Sequence, residues 1–291
     1  MKHTLLFVFL SAFMLNACSK KQAVPSTVKI NISSEPDSLD PWQSAAADTQ
    51  SIFSNVFEGL LKVAPDGTLI PAIAESYTVS DNKLIYTFKI RKNIIFHNNK
   101  TLTSKDVLYS YNAFTGLNGT KAVSNKFKSV KSLSSPDDNT FIVELSSPDA
   151  SFLALNTNAV LPEGYETQSD KPIGTGPYEF VSYVPGQKIV FKRNAAYYNK
   201  EAMPKIENVE VYIMTDSASV ISALRSGQLD IAYFIYGDDA EQLKSKFTIF
   251  SAAQNMVQLF GLNNGYKPLQ DIRVRKAINY AVNKKDIIDG V

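Results

Sequence analysis

The sequence of 291 residues predicts a mixed α/β protein. Short runs in which apolar and polar residues alternate, as in half-buried strands, recur along the chain. Between them lie stretches with apolar residues at helical spacing. Because the two kinds of segment are interleaved without a fixed-period repeat, the pattern favours helices packed on sheets.

The first predicted elements lie on either side of a polar segment. Val28, Ile30 and Ile32 alternate with polar residues and predict a strand, which the segment SEPDSLDPW (residues 34–42) ends with two prolines. A helix is predicted over residues 48–63. Its proposed apolar face consists of Ile52, Phe53, Val56, Phe57, Leu60 and Leu61.

A second strand and a capped helix follow. Residues 82–90 alternate with period two, which predicts a strand. Thr103, followed three residues later by Asp106, predicts a capping box at the start of a helix that extends to residue 114. The expected core face of this helix is formed by Val107, Tyr111 and Phe114.

The second half of the chain is richer in strands. Strands are predicted at residues 139–147, 176–184, 187–194 and 207–214, the middle two joined through Pro185-Gly186. A helix over 217–226 ends at Gly227 and leads to a predicted strand over 229–235. A last helix is predicted over 271–288.

The N-terminus has the features of an export signal. Lys2 precedes the uncharged run Leu5 to Leu15, which is shorter than the roughly 20 residues that a membrane span needs. Cys18 is the only cysteine. The sequence LNAC around it resembles the lipobox of bacterial lipoproteins, which implies cleavage after residue 17 and acylation of Cys18. The alternatives are an ordinary signal peptide, a free thiol or an intermolecular disulfide.

The composition argues against several classes of function. A formal net charge of +2 is too small for a nucleic-acid-binding protein, and one cysteine cannot form an internal disulfide. After the signal the chain has one histidine, His97, so the paired histidines of zinc hydrolases are missing. We therefore expect no enzymatic activity, no cofactor and no metal. His97 is expected to be an exposed residue of a turn.

Several motifs, taken together, resemble one protein family. EPDSLDP, FEGLLKVAPDGTLIPAIAESYTVS, YTFKIRKNIIFHNNKTLTSKDVLYSY, PIGTGPYEF, FKRNAAYY, ALRSGQLDIA and VRKAINYAVNKKDII occur in the order found in extracytoplasmic solute-binding proteins of the oligopeptide, dipeptide and nickel class. The resemblance implies a two-lobed fold of the type II periplasmic-binding-protein kind with a β-rich inserted domain. It also implies a monomeric lipoprotein, periplasmic or at the cell surface, that delivers peptides to an ABC permease and ATPase complex.

The resemblance also implies domain boundaries. After the signal peptide (1–17) and a tether (18–27), lobe I comprises residues 28–45 and 168–255. Residues 46–167 form the inserted domain, and 256–291 begin a second ligand-facing lobe that is incomplete here. PIGTGPY (172–178) is expected to carry the chain between lobes, its two glycines permitting backbone angles that other residues resist.

The expected ligand site is the SEPDSLDPW segment. By resemblance, Glu35, Pro36, Asp37 and Trp42 lie near a peptide that binds as an added strand, although Pro36 lacks a backbone N–H. A solvated turn is the alternative for the first three. A nickel-chelate receptor and an exported sensor or adhesion lipoprotein without a transport role remain open as other functions, and the exact ligand is not specified.

Overall fold

The computed structural model describes residues 26–235, 237–252 and 259–289. The chain divides into two compact units, with the boundary after Ile231. The strands of the first unit are β1 Thr27–Ile32, β2 Leu61–Val63, β3 Leu69–Pro71, β4 Ala74–Val79, β5 Ile85–Ile90, β6 Val130–Asp137, β7 Thr140–Leu145, β8 Tyr178–Val184, β9 Lys188–Arg193 and β10 Asn208–Ile213. Its helices are α1 Ala47–Phe53, α2 Ser104–Thr115, α3 Phe152–Leu155 and α4 Ser217–Arg225.

The strands of the first unit form three sheets. One has the order β1-β10-β9-β8, with β1 parallel to β10 and the other neighbours antiparallel. The second is the antiparallel pair β2-β3, and the third is the antiparallel sheet β4-β5-β7-β6. The register pairs Val28 with Val209 and Ile32 with Ile213, so the apolar residues of the parallel strands are adjacent.

Two hydrophobic clusters fill the first unit. One lies under the β4-β5-β7-β6 sheet, against which α2 packs, and contains buried Phe88, Tyr111 and Phe141. The other lies beside the β1-β10-β9-β8 sheet and contains buried Ile189 and Val211. Because Trp42 packs against both clusters, the SEPDSLDPW segment lies where they adjoin. The lobe boundaries given above remain a prediction.

The helix predicted over 48–63 is half as long as expected. Only α1 is helical, and Leu61–Val63 is a strand, although Val56, Phe57 and Leu60 are buried as the apolar pattern predicts. The backbone between α1 and β2 forms hydrogen bonds with distant segments instead of continuing the helix. Gly176 N donates to Val56 O, and Leu61 N donates to Asn156 O. Tertiary contacts have overridden the helical pattern.

Several other predicted elements are confirmed. Thr103 and Asp106 form both hydrogen bonds of the capping box, and α2 buries its predicted face. The β8–β9 hairpin turns at Gly186, which has a φ of 72°. By contrast, the strand predicted over 229–235 is reduced to one parallel bridge, between Ile30 and Ile231.

The second unit, from Ala232, is helical in its described parts. Its elements are α5 Gly237–Leu243, a 3-10 turn Lys267–Leu269, α6 Ile272–Ala281 and α7 Lys284–Asp289. The single helix predicted over 271–288 is therefore interrupted. Val282 is extended, and the Asn283 side chain accepts a hydrogen bond from Lys285 N at 3.1 Å, so a new helix begins there. Across the described residues, no helix combines the length and the apolar character needed to span a bilayer.

Candidate functional site

The SEPDSLDPW segment is held in shape by the carboxylate of Asp37. It accepts hydrogen bonds from Ala45 N at 2.6 Å, from Ala46 N at 2.9 Å and from Ser44 Oγ at 2.8 Å. Partial desolvation opposes ionisation, but these hydrogen bonds outweigh it and hold the pKa of Asp37 well below its usual range. The carboxylate thus stays charged and fixes the chain as it enters α1.

Glu35 connects the same segment to the β8–β9 hairpin. Its carboxylate accepts hydrogen bonds from Tyr183 Oη and from Gly186 N. Desolvation and the hydrogen bond with Glu35 raise the pKa of Tyr183 to about 12. Pro36, between the two acids, is half-buried. Both acids form hydrogen bonds within the protein fold, and their role toward a ligand stays a prediction.

Trp42 presents an aromatic surface at the end of the segment. Its indole Nε1 donates to Ala159 O at 2.9 Å, which fixes the ring. The ring lies 5.9 Å from that of Tyr109 and 5.4 Å from that of Phe114, centroid to centroid, the latter edge-on. The side chain is only half-buried, so one part of the ring remains accessible.

The accessible side of Trp42 faces a cleft of about 690 Å³ within the first unit. This volume lies in the range of small-molecule sites. The lining comes from four places: the end of SEPDSLDPW with α1, the C-terminal end of α2, the loop that follows α2, and the turn that follows α3. The lining residues are Pro41, Trp42, Ser44, Gln50, Phe114, Thr115, Ala122, Val123, Ser124, Asn125, Lys126, Phe127, Lys128 and Asn158.

The loop after α2 is anchored to its helix. Gly116 ends α2 in the left-handed conformation, with a φ of 73°, and a Cβ there would lie 2.7 Å from Thr120 O. Val123 N donates to Ala113 O at 2.9 Å. This loop is not among the segments that the sequence predicted to form a site. The glycine at the end of α2 and the lysines that follow it are the signals that could have indicated it.

His97 lies beside the PIGTGPY segment and is half-buried, so the expectation that it is exposed is wrong. Gly174 N donates to its Nδ1 at 3.3 Å, and its Nε2 lies 3.0 Å from Gly176 O. These partners assign the proton to Nε2 of a neutral ring, and burial lowers the pKa of His97. Because both ring nitrogens form hydrogen bonds, the ring holds the backbone of Gly174 and Gly176 in place.

The two glycines are needed for close approach rather than for unusual backbone angles. A Cβ on Gly174 would lie 2.0 Å from Val56 O, and one on Gly176 would lie 2.3 Å from Asn55 O. Neither glycine has a positive φ. The expectation that they provide backbone angles that other residues resist is therefore wrong, and their role is to let PIGTGPY pack against the backbone that follows α1.

A buried carboxylate joins the same segments. Glu58 Oε2 accepts a hydrogen bond from Thr175 Oγ1 at 3.0 Å, and Oε1 accepts from Tyr197 Oη at 2.8 Å and Tyr198 Oη at 3.2 Å. Burial raises the pKa of Glu58 despite these hydrogen bonds, and desolvation beside the carboxylate also raises the pKa of both tyrosines. This network ties FEGLL, PIGTGPY and NAAYY together in space.

Cys18, predicted to be lipidated, lies outside the described residues.

Comparisons with known proteins identify the family of this chain. The model of the bacterial extracellular solute-binding proteins, family 5 (middle), matches residues 68–291, which is well over half of the chain. The chain belongs to this family. Its fold class is that of the type II periplasmic binding proteins, as the sequence predicted. Proteins of family 5 are extracytoplasmic substrate-binding proteins rather than enzymes.

Individual relatives differ in what they bind. Over 305 residues, the heme-binding protein A of Haemophilus influenzae is 28% identical, covering 94% of this chain and 55% of the relative. The dipeptide-binding protein DppE of Bacillus subtilis is 26% identical over 288 residues, which cover 90% of this chain and 52% of the relative. The structure of a periplasmic oligopeptide-binding protein from Borrelia burgdorferi matches with a TM-score of 0.81 and 25% identity. The match covers 91% of this chain and 58% of the Borrelia chain. The chain thus spans about half the length of the relatives it matches.

Proposed function

We propose that this chain belongs to the substrate-binding lipoprotein of an ABC importer, which captures oligopeptides or dipeptides outside the cytoplasmic membrane and delivers them to the permease. Family membership over residues 68–291 carries the proposal, and peptide-binding proteins are among the relatives of similar sequence and structure. Since the chain covers about half of those relatives, the activity of the whole receptor is part of the proposal.

In this proposal the cleft at Trp42 supplies one wall of the ligand site. Two features support that role. An aromatic face is held rigidly at its edge by the indole hydrogen bond to Ala159 O, and rigid aromatic anchors suit small-ligand recognition. Asp37 and Glu35 fix the adjoining backbone, which prepares that segment for a ligand without a large entropic cost on binding.

The membrane anchor in this proposal is a diacylglycerol on Cys18. Two acyl chains at about 0.8 kcal/mol per buried CH₂ hold a protein stably at a bilayer, whereas one chain is marginal. Two alternatives remain. A nickel-chelate receptor differs from this proposal in its ligand, and a sensor or adhesion lipoprotein without a transport role differs in having no permease partner. A permease and ATPase encoded beside this gene would favour transport, and their absence would favour the sensor.

Mass spectrometry of the exported protein tests the anchor and the ligand together. We expect an intact mass that begins at acylated Cys18, and short peptides bound under native conditions. The Cys18→Ser variant should lose the acyl mass and leave the membrane fraction. Cleavage at another residue without acylation would refute the lipoprotein assignment. A non-peptide ligand, such as a nickel chelate, would refute the peptide assignment.

A further inference from the structure

The segment around the loop after α2 carries charge of one sign. Between Asp106 and Asp137 there is no acidic residue, but there are four lysines, at positions 121, 126, 128 and 131. Acidic and basic residues are otherwise nearly balanced, with 28 of the former and 30 of the latter in the chain. The positive charge on this segment is therefore local.

Two of these lysines belong to the cleft. Lys131 is paired with Glu144 at 2.7 Å, whereas Lys126 and Lys128 line the cleft and form no ion pair with any residue that the structure describes. No acidic side chain is among the lining residues. Two neighbouring cations without a counter-charge attract an anionic group and disfavour a cationic one.

The nearest acids of the SEPDSLDPW segment are engaged within that segment. Asp37 accepts hydrogen bonds from the backbone of Ala45 and Ala46. Asp40 accepts from Trp42 N at 2.9 Å and from Gln43 Nε2 at 2.8 Å. Neither carboxylate bonds a lysine of the cleft, so the two ammonium groups remain available to a ligand.

The uncharged part of the lining combines apolar side chains, among them half-buried Trp42 and exposed Val123, with polar ones such as Ser44, Gln50 and Asn158. Phe114 and Phe127 are buried, with rings stacked 5.0 Å apart, and Trp42 lies edge-on to Phe114. A ligand that fits this lining combines an apolar side chain, for the aromatic surface, with a carboxylate, for the lysines.

We propose that the cleft selects acidic peptides, meaning short peptides that carry a side-chain carboxylate next to an apolar residue. This inference rests on the proposed function, because it specifies the ligand class of the same site. Lys126 and Lys128 are the specificity-determining residues, and they act through charge rather than through shape.

Calorimetry with two isosteric peptides, Ala-Leu-Glu-Ala and Ala-Leu-Gln-Ala, tests the inference on the whole chain. Two partly screened ion pairs predict about tenfold tighter binding of the glutamate peptide at low ionic strength. The ratio should fall toward one as salt is raised, because salt screens exposed charges.

Variants separate this inference from the proposed function. The double variant Lys126→Gln, Lys128→Gln should lose the preference for glutamate, so that it binds the two peptides with equal affinity. Lys105→Gln, an exposed lysine on α2 outside the cleft lining, is the matched control and should keep the preference. Equal binding of both peptides by the unmodified chain would overturn the inference alone. If neither peptide nor any other peptide binds, the proposed function fails, and this inference fails with it.

Discussion

At the scale of single residues, the chemistry of the site region depends on two carboxylates in opposite environments. Asp37 is surrounded by hydrogen-bond donors and its pKa is lowered, whereas Glu58 is buried and its pKa is raised. The sequence predicted Asp37 as a site residue from the SEPDSLDPW motif. It gave no indication of the Glu58 network, because Thr175, Tyr197 and Tyr198 are more than 100 residues away and only the fold brings them together.

The raised pKa of Glu58 makes a prediction about stability and pH. A carboxyl group whose pKa is higher in the folded state contributes stability below its unfolded pKa and loses that contribution as pH rises toward the folded pKa. Glu58→Gln removes the titrating carboxyl, so this loss of stability with rising pH disappears. The glutamine amide can still form hydrogen bonds with the same hydroxyls. We therefore expect the unfolding free energy of Glu58→Gln, relative to the unmodified chain, to increase as the pH rises above the unfolded pKa of glutamate, about 4.3.

Denaturant unfolding at several pH values measures this difference. Glu58→Ala is the control, since it leaves the three hydroxyls without their acceptor and should be about 2 kcal/mol less stable than Glu58→Gln at every pH. A difference between Glu58→Gln and the unmodified chain that does not change with pH would contradict the assignment of a raised pKa.

At the scale of elements, the sequence predicted best where local signals agree with the fold. The capping box of α2, the β8–β9 hairpin and the alternating burial along β5 follow from patterns a few residues long. The prediction failed where backbone groups bond to distant segments. Residues 55–61 have a helical apolar pattern, yet the packing of PIGTGPY and Asn156 against them prevents a helix.

The close approach of Gly174 to the backbone after α1 predicts a large effect of one added methyl group. In Gly174→Ala the new Cβ would lie 2.0 Å from Val56 O, so the two segments must separate, and we expect a loss of about 3 kcal/mol. Gly67→Ala is the matched control. It meets no atom within 4 Å but has a φ of +84°, which costs about 1 kcal/mol.

Thermal or denaturant unfolding of the two glycine variants measures the stability lost through close backbone approach at Gly174 and through a positive φ at Gly67. A loss for Gly174→Ala no larger than that for Gly67→Ala would contradict the role of close approach at Gly174. A larger loss for Gly174→Ala is the result expected if PIGTGPY packs directly against the backbone that follows α1.

At the scale of the whole molecule, the fold class and the family could be predicted from the order of the motifs, and both are confirmed. The cleft could be predicted only in part. Trp42, a predicted ligand residue, lies at its edge, and its role toward a ligand remains a prediction. Phe114 comes from the end of α2, and Val123 and the lysines come from the loop after it, whose position depends on tertiary contacts. The lobe boundaries and the roles of Glu35, Pro36 and Asp37 toward a ligand remain predictions.

The most direct test of the central claim, that the cleft at Trp42 receives a peptide, uses the fluorescence of that residue. Trp42 is the only tryptophan of the chain, so its emission reports on this cleft alone. We predict a saturable change in tryptophan emission as short peptides are added, with the same midpoint as binding measured by calorimetry. Peptide binding seen by calorimetry with no change in the emission of Trp42 would contradict the account.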